Sequence, residues 1–104
     1  MAYPLSILTP SGEIFNGKAD FTVIPGLIGE LGILSNHAPI VSAIKPGVVT
    51  ITQDKQKKFF AVDSGVVEVK PNHNVMILTD QALESADFKE AQTQSLRLAP
   101  PTTK

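Results

Sequence analysis

The 104-residue chain contains no cysteine. That excludes disulfides, thiol nucleophiles and cysteine metal sites, and it fits a reducing compartment. An excess of positive charge is missing too. Nine Lys and Arg against ten Asp and Glu leave a formal net charge of −1, so no broad field is available to hold nucleic acid or an anionic membrane. The one basic cluster, Lys55-Gln56-Lys57-Lys58, lies in a polar stretch between strand-like runs and reads as a solvated hairpin tip. No apolar run approaches the roughly 18 residues that span a bilayer. The opening MAYPLSILTP has neither the basic segment nor the long apolar stretch of a secretory signal. The expectation is a protein that makes no direct lipid insertion but is free to attach to something embedded.

What is present is a globular composition, 42% hydrophobic and 18% charged, with length for a modest core in one domain. The dominant pattern has period two. From Lys18 to Ile24, Ala19, Phe21 and Val23 alternate with Asp20 and Thr22, which predicts a strand with one buried face. Leu5 and Ile7, Val49 and Ile51, and Val67 and Val69 follow the same rule. Phe59–Val62 and Val75–Leu78 are continuous apolar runs, as expected of strands covered on both faces. Turn chemistry recurs at Pro10-Ser11-Gly12, Asn16-Gly17, Pro25-Gly26, Lys45-Pro46-Gly47, Asp54–Lys57, Asp63-Ser64-Gly65 and Pro71–Asn74. Many short strands with regular breaks, and no helical pattern before Gln81, point to an all-β antiparallel sandwich or barrel over residues 1–84. Residues 85–104 differ. Asp87 followed by Glu90 is a capping box with an acid in place of Ser or Thr. Phe88, Ala91 and Leu96 then follow at roughly helical spacing, and Pro100-Pro101 stops any helix. This predicts one short, marginal helix and a flexible tail.

The residues that carry chemistry elsewhere form no reacting set here. His37 and His73 stand 36 positions apart without a partner at i+2 or i+4, whereas zinc needs three or four converging ligands. A triad of Ser64, Asp63 and His37 lacks the G-x-S-x-G elbow, and Asp63-Ser64-Gly65 reads as a turn or bulge in which Gly65 can take positive φ. The glycines at 26, 29 and 32 match neither the P-loop nor the G-x-G-x-x-G spacing. They read as permitting tight turns and close backbone approach in a connection between sheets. Leu27, Ile28, Leu31, Ile33 and Leu34 are too many large apolar side chains for a solvent loop. Some face the core, and others are candidates for an exposed rim with Glu30 on it.

These residues bear a resemblance. FTVIPGLIGELGILSNHAPIVSAIKPGVVTI, Phe21–Ile51, resembles the epsilon subunit of F-type ATP synthases (called delta in mitochondria), whose pattern runs PG..GE.GIL..HAP....LKPG. Weaker similarity extends through LTPSGEIFNGKA and FAVDSGVVEVKPNHNVMILTD, to about residues 3–84. The resemblance implies an antiparallel two-sheet β-sandwich at the foot of a rotating central stalk, docked on the gamma subunit and the c-ring. It implies a subunit with no catalytic residues, cofactor or metal, peripheral to the cytoplasmic face of an energy-transducing membrane or its organellar equivalent. Gly29, Glu30 and Leu31 match the segment that faces the c-ring. His37, Ala38 and Pro39, with Val41 and Ser42, match the segment near gamma. The C-terminus departs from the family. The ATP-binding pattern [IL]-D-x-x-R-A meets Ala86-Asp87-Phe88-Lys89-Glu90-Ala91, with Ala for the aliphatic residue and Glu for the Arg, and a carboxylate does not bind phosphate as a guanidinium does. This implies a short form without a second helix, without ATP sensing and without an extended-helix brake. The alternatives from the residues alone are an unrelated β-sandwich binding module or a small hydrolase using His37 and Ser64.

Overall fold

Tyr3, Leu5 and Ile7 all point inward from the first strand, as alternation requires, and the rest of the chain is assembled around them. The structure is a computed structural model that describes residues 2–98. Its strands are β1 (Tyr3–Thr9), β2 (Gly12–Ala19), β3 (Phe21–Pro25), β4 (Glu30–Leu34), β5 (Ile40–Ile44), β6 (Gly47–Gln53), β7 (Gln56–Val62), β8 (Gly65–Val69), β9 (Val75–Thr79) and β10 (Ala82–Ser85), followed by helix α1 (Phe88–Leu98). They form two five-stranded sheets, ordered β2-β1-β9-β8-β5 and β10-β7-β6-β3-β4. The result is a two-sheet β-sandwich, as read from the sequence. Every neighbouring pair is antiparallel except β1 and β9, which run parallel with Leu5 opposite Val75.

The core is the slab between the sheets. Leu5, Ile7, Val67 and Ile77 of the first sheet meet Ile24, Ile33, Ile51, Phe60 and Val62 of the second. The Phe15 ring closes one side edge-on to Phe60, with centroids 5.6 Å apart, a favourable arrangement of ring quadrupoles. At the β6–β7 hairpin the Lys-rich stretch is a tip, as expected. Asp54 and Lys55 both have positive φ (49° and 69°), the two-residue turn whose twist suits a hairpin.

Four local expectations are corrected. The single strand expected over Lys18–Ile24 is two strands. The chain bends at Asp20 and passes from the first sheet to the second, so the buried series shifts from Ala19 to Thr22 and Ile24, while Phe21 and Val23 face outward. The buried Thr22 hydroxyl lies 2.6 Å from the Tyr3 phenol oxygen, and the phenol donates its one proton to the Ile33 carbonyl at 2.7 Å. Asn16-Gly17 is not a turn but lies inside β2, where the Phe15 ring packs close over Gly17. The glycine loop joins β3 to β4 within one sheet, and the crossing to the other sheet comes after β4, through residues 35–39. Gly65 does not need positive φ. It is constrained because any Cβ there would collide with the Leu78 carbonyl.

Helix α1 begins with the expected cap. Glu90 N–H donates to Asp87 Oδ1 at 2.8 Å, and Glu90 Oε1 reaches back to accept from the Ala86 N–H at 2.7 Å. Its 11 residues are the expected three turns, and they pack against the sandwich. Ala91 is fully buried against Val48 and Ala61 on the outer face of the second sheet, with Phe59 and Leu98 at the margin. Leu96, expected on the buried stripe, is 77% exposed, and Ser95 is buried in its place. Position 96 lies about 140° around the helix from Ala91, whereas 95 and 98 lie within about 40° of it. The expected tail at residues 99–104 lies outside the described residues.

Candidate docking surface

The sandwich has two ends, fixed by strand direction. One end gathers the β3–β4 loop at Gly26–Gly29, the Lys45–Gly47 turn, Asp63-Ser64 and Asp80. The other gathers the 35–39 link and the Pro71–Asn74 turn, and the β6–β7 hairpin tip turns there. Glu30 opens β4 at the first end and is exposed. His37 follows the far end of the same strand. Glu30 and Leu34 are therefore separated by the strand's length, about 13 Å, and the two groups of residues singled out from the sequence do not form one cluster. Gly29 is open, with room for a Cβ; Leu31 is half-buried and packs on the core beside the fully buried Ile33. Leu34, Leu27 and Ile28 point out to solvent.

In the 35–39 link, Asn36 takes positive φ (66°). The His37 N–H donates to the Leu34 carbonyl at 3.3 Å, and its ring Nδ1 donates to the Ala38 carbonyl at 2.7 Å. The imidazole is thereby used to hold the corner. Along β5, Ile40, Ser42 and Ile44 turn inward, while Val41, 71% exposed, and Ala43 turn outward. Ser64 sits at the opposite end of β5 from His37, since Gly65 pairs with Ile44 and Val69 with Ile40. With a strand length of about 13 Å between them, the hydrolase pairing of His37 and Ser64 is overturned. Asp63 is buried and its carboxylate accepts the Ser64 N–H at 2.7 Å, making the turn. His73 is exposed in the β8–β9 turn with positive φ (72°).

The two outer faces of the sandwich differ. On the second sheet, α1 covers Val48, Ala61 and Phe59. On the first sheet no described element covers the outward side chains. Ala43 of β5, Val66 of β8, Leu78 of β9 and Leu8 of β1 lie side by side as an apolar row across four strands, and the next row, Val41–Glu68–Met76–Ser6, is apolar at Val41 and Met76 with the Glu68 carboxylate between them. Val66 and Leu78 are 38% and 46% exposed. Where this band reaches the Glu30 end, Leu8, Pro10, Gly65 and Leu78 line a depression of about 320 Å³ with Asp80 on its rim. A contiguous apolar patch on a folded domain marks an interaction surface. The sequence held a signal for it: Val75–Leu78 is apolar at every position, the pattern of a strand covered on both sides, yet one side is bare.

The fold is thus that of a two-sheet β-sandwich with one sheet face capped by a helix and an exposed apolar row on the other. The family model "ATP synthase, Delta/Epsilon chain, beta-sandwich domain" matches residues 2–85, and the chain belongs to that family. It is a structural subunit and not an enzyme. The ATP synthase epsilon chain of Herminiimonas arsenicoxydans is 40% identical over 98 residues, covering 91% of this chain and 69% of that one. Epsilon chain 1 of Methylococcus capsulatus is 39% identical over 100 residues, covering 95% and 71%. The fold is also that of a chain in the cryo-EM structure of the Euglena gracilis mitochondrial ATP synthase with OSCP, F1 and c-ring (TM-score 0.77, 20% identity, 93% of this chain and 62% of that one). A chain in the central stalk and c-ring structure of the Tetrahymena thermophila enzyme is similar as well (TM-score 0.68, 15% identity, 94% and 90%).

Proposed function

We propose that the chain is a rotor subunit of the central stalk of an F-type ATP synthase, holding the gamma subunit with the outer face of its first sheet and the c-ring with the Glu30 end. The observation that carries this is the bare apolar row Ala43–Val66–Leu78–Leu8 on the first sheet, in contrast to the helix-covered side of β7. In this reading Val41, Val66 and Leu78 are the gamma contact, continued by His37, Ala38 and Pro39 at the end of the same edge strand, with Ser42 setting β5 from the inside. Gly29, Glu30 and Leu31 form the rim toward the ring, at the cytoplasmic face of the membrane or its organellar equivalent. Glu30 has no ion-pair partner among the described residues, where the sole pair is Lys58–Glu84 at 3.6 Å. It is free to meet a basic residue opposite, which sets register and partner choice more than affinity. A two-sheet slab passes torque between two neighbours because it does not bend, so ion flow through the ring and rotation of the stalk stay coupled.

Val66→Glu tests the gamma contact. The side chain already faces solvent, so the isolated domain keeps its melting temperature, while a charge in the middle of the apolar band abolishes co-purification with gamma. Undiminished recovery of gamma by the variant refutes the surface.

A further inference from the structure

Each sheet ends in strands with one unpaired edge, β2 and β5 in the first, β10 and β4 in the second. Such an edge offers a row of N–H and C=O groups to any extended chain, and folded proteins guard it. The edges other than β4 are guarded. β2 carries a bulge at Ile14 and the charges of Glu13 and Lys18. β5 is bridged near its end by the Gly26–Ile44 pair, and its Ala43 carbonyl accepts the Leu27 N–H at 3.0 Å. β10 is four residues long and leads into α1. The five residues of β4, Glu30-Leu31-Gly32-Ile33-Leu34, hold no bulge, proline or lysine, and their one charge stands at the end. The registers show which backbone groups are spare. The two-residue turn at Asp54-Lys55 makes Gln53 and Gln56 a hydrogen-bonded pair. Alternation from there turns Thr50 toward Val23, and then Thr22 and Ile24 toward Ile33 and Leu31. The backbone groups of Glu30, Gly32 and Leu34 therefore face away from the sheet. Among the described residues only the Leu34 carbonyl has a partner there, the His37 N–H at 3.3 Å.

We infer that β4 pairs antiparallel with β4 of a second copy, joining their second sheets into one continuous sheet in a weak dimer of the free chain. A register with Gly32 on the two-fold axis matches the spare groups. Gly32 meets Gly32 of the second copy and Glu30 meets Leu34, and each such pair exchanges two N–H···O=C bonds. A second copy is favoured over a foreign strand because this register makes the edge complementary to itself. On the inner side Leu31 meets Ile33 and extends the core. On the outer side each Glu30 lies beside an exposed Leu34. The two carboxylates stand about 14 Å apart, beyond the Debye length of about 8 Å. Like charges are thus kept apart while the exposed leucines gain cover. The contact is one strand wide and falls at the low end of interface sizes, so the dimer is weak. It is a state of the free chain and does not rest on the docking proposed above. It does cover Glu30, so the dimer must part before that docking.

Sedimentation equilibrium of the full chain, with amide hydrogen exchange, tests this. The wild type is expected to be monomeric at about 1 μM and mainly dimeric at about 1 mM. Exchange of the Gly32 amide slows in the dimer, while that of Ile33, already bonded to β3, does not change. Leu34→Glu and Leu34→Lys separate this register from simple apolar contact. Both alter an exposed side chain, so the melting temperature of the monomer holds. Opposite Glu30 of the second copy, the new carboxylate weakens the dimer about tenfold and the new ammonium tightens it about fivefold. Loss of apolar contact alone would weaken both. A wild type that stays monomeric at about 1 mM overturns the inference. So does a dimer that leaves the Gly32 amide open, or one that the two variants shift in the same direction.

Discussion

Tyr3 pins the two sheets together at the level of single atoms. Its phenol and the Thr22 hydroxyl, both buried, satisfy each other and the Ile33 carbonyl across the core. Tyr3→Phe leaves two buried polar groups short of a partner and should lower stability at neutral pH by about 1–3 kcal/mol, read by urea denaturation. The same residue gives a pH signature. Burial raises its pKa above the ordinary 10.0; the hydrogen bond with Thr22 offsets part of the rise, and the Asp20 charge adds to it. The folded state therefore holds the proton more tightly than the unfolded one. This contribution is fully present below pH 10 and is lost as pH rises through the folded pKa. The stability difference between wild type and Tyr3→Phe should accordingly shrink above that pH; parallel alkaline losses in both would assign the titration to other groups. None of this was legible in the sequence. One Tyr near the N-terminus has no pattern, and the alternation from Lys18 placed Thr22 on the wrong side because it did not register the bend at Asp20.

Among the elements, α1 was half legible. Its start was readable because Asp87 and Glu90 stand at cap spacing, and the hydrogen bonds are there. Its buried face was read in part: Ala91 was on the expected stripe and is buried, but Ser95 and not Leu96 joins it, because the sheet selects small residues for close approach. A search for large apolar residues finds Leu96 where the sheet takes Ser95. Asp87→Ala should cost about 1 kcal/mol, a fall of about 4–8 °C in Tm for a domain of this size. Ala91→Leu should cost about 1–3 kcal/mol by forcing the helix off Ala61 and Val48. Leu96→Ser should change neither. Thermal melting of the three variants checks the assignment, and a large loss from Leu96→Ser would place the helix differently. The strands of the core were the most readable elements, since Leu5 and Ile7, Val49 and Ile51, and Val67 and Val69 obey a two-residue period that only a half-buried strand satisfies.

For the molecule as a whole, the sandwich followed from pattern and turns, but its working surface did not. Phe59–Val62 and Val75–Leu78 look alike as sequence; only the placement of α1 in space shows that the first run is covered and the second is bare. Glu30 and His37 are close in sequence yet belong to opposite ends, a separation that depends on β4 being fully extended. Glu30→Gln should therefore leave the melting temperature and gamma binding unchanged, while weakening the hold on the ring most at low ionic strength, where charge pairing is least screened. A large fall in the melting temperature would make Glu30 a folding residue. The parallel pairing of β1 with β9 has a further consequence, for biosynthesis. Leu5 meets Val75 seventy positions later in the chain, so the middle of the first sheet stays open on the ribosome until most of the protein has emerged. Such long-range closure is slow. The nascent chain carries a first strand that β2 can pair on one edge but that stays open on the other through much of its synthesis, and interception by a chaperone or by a neighbouring nascent chain is decided in that interval.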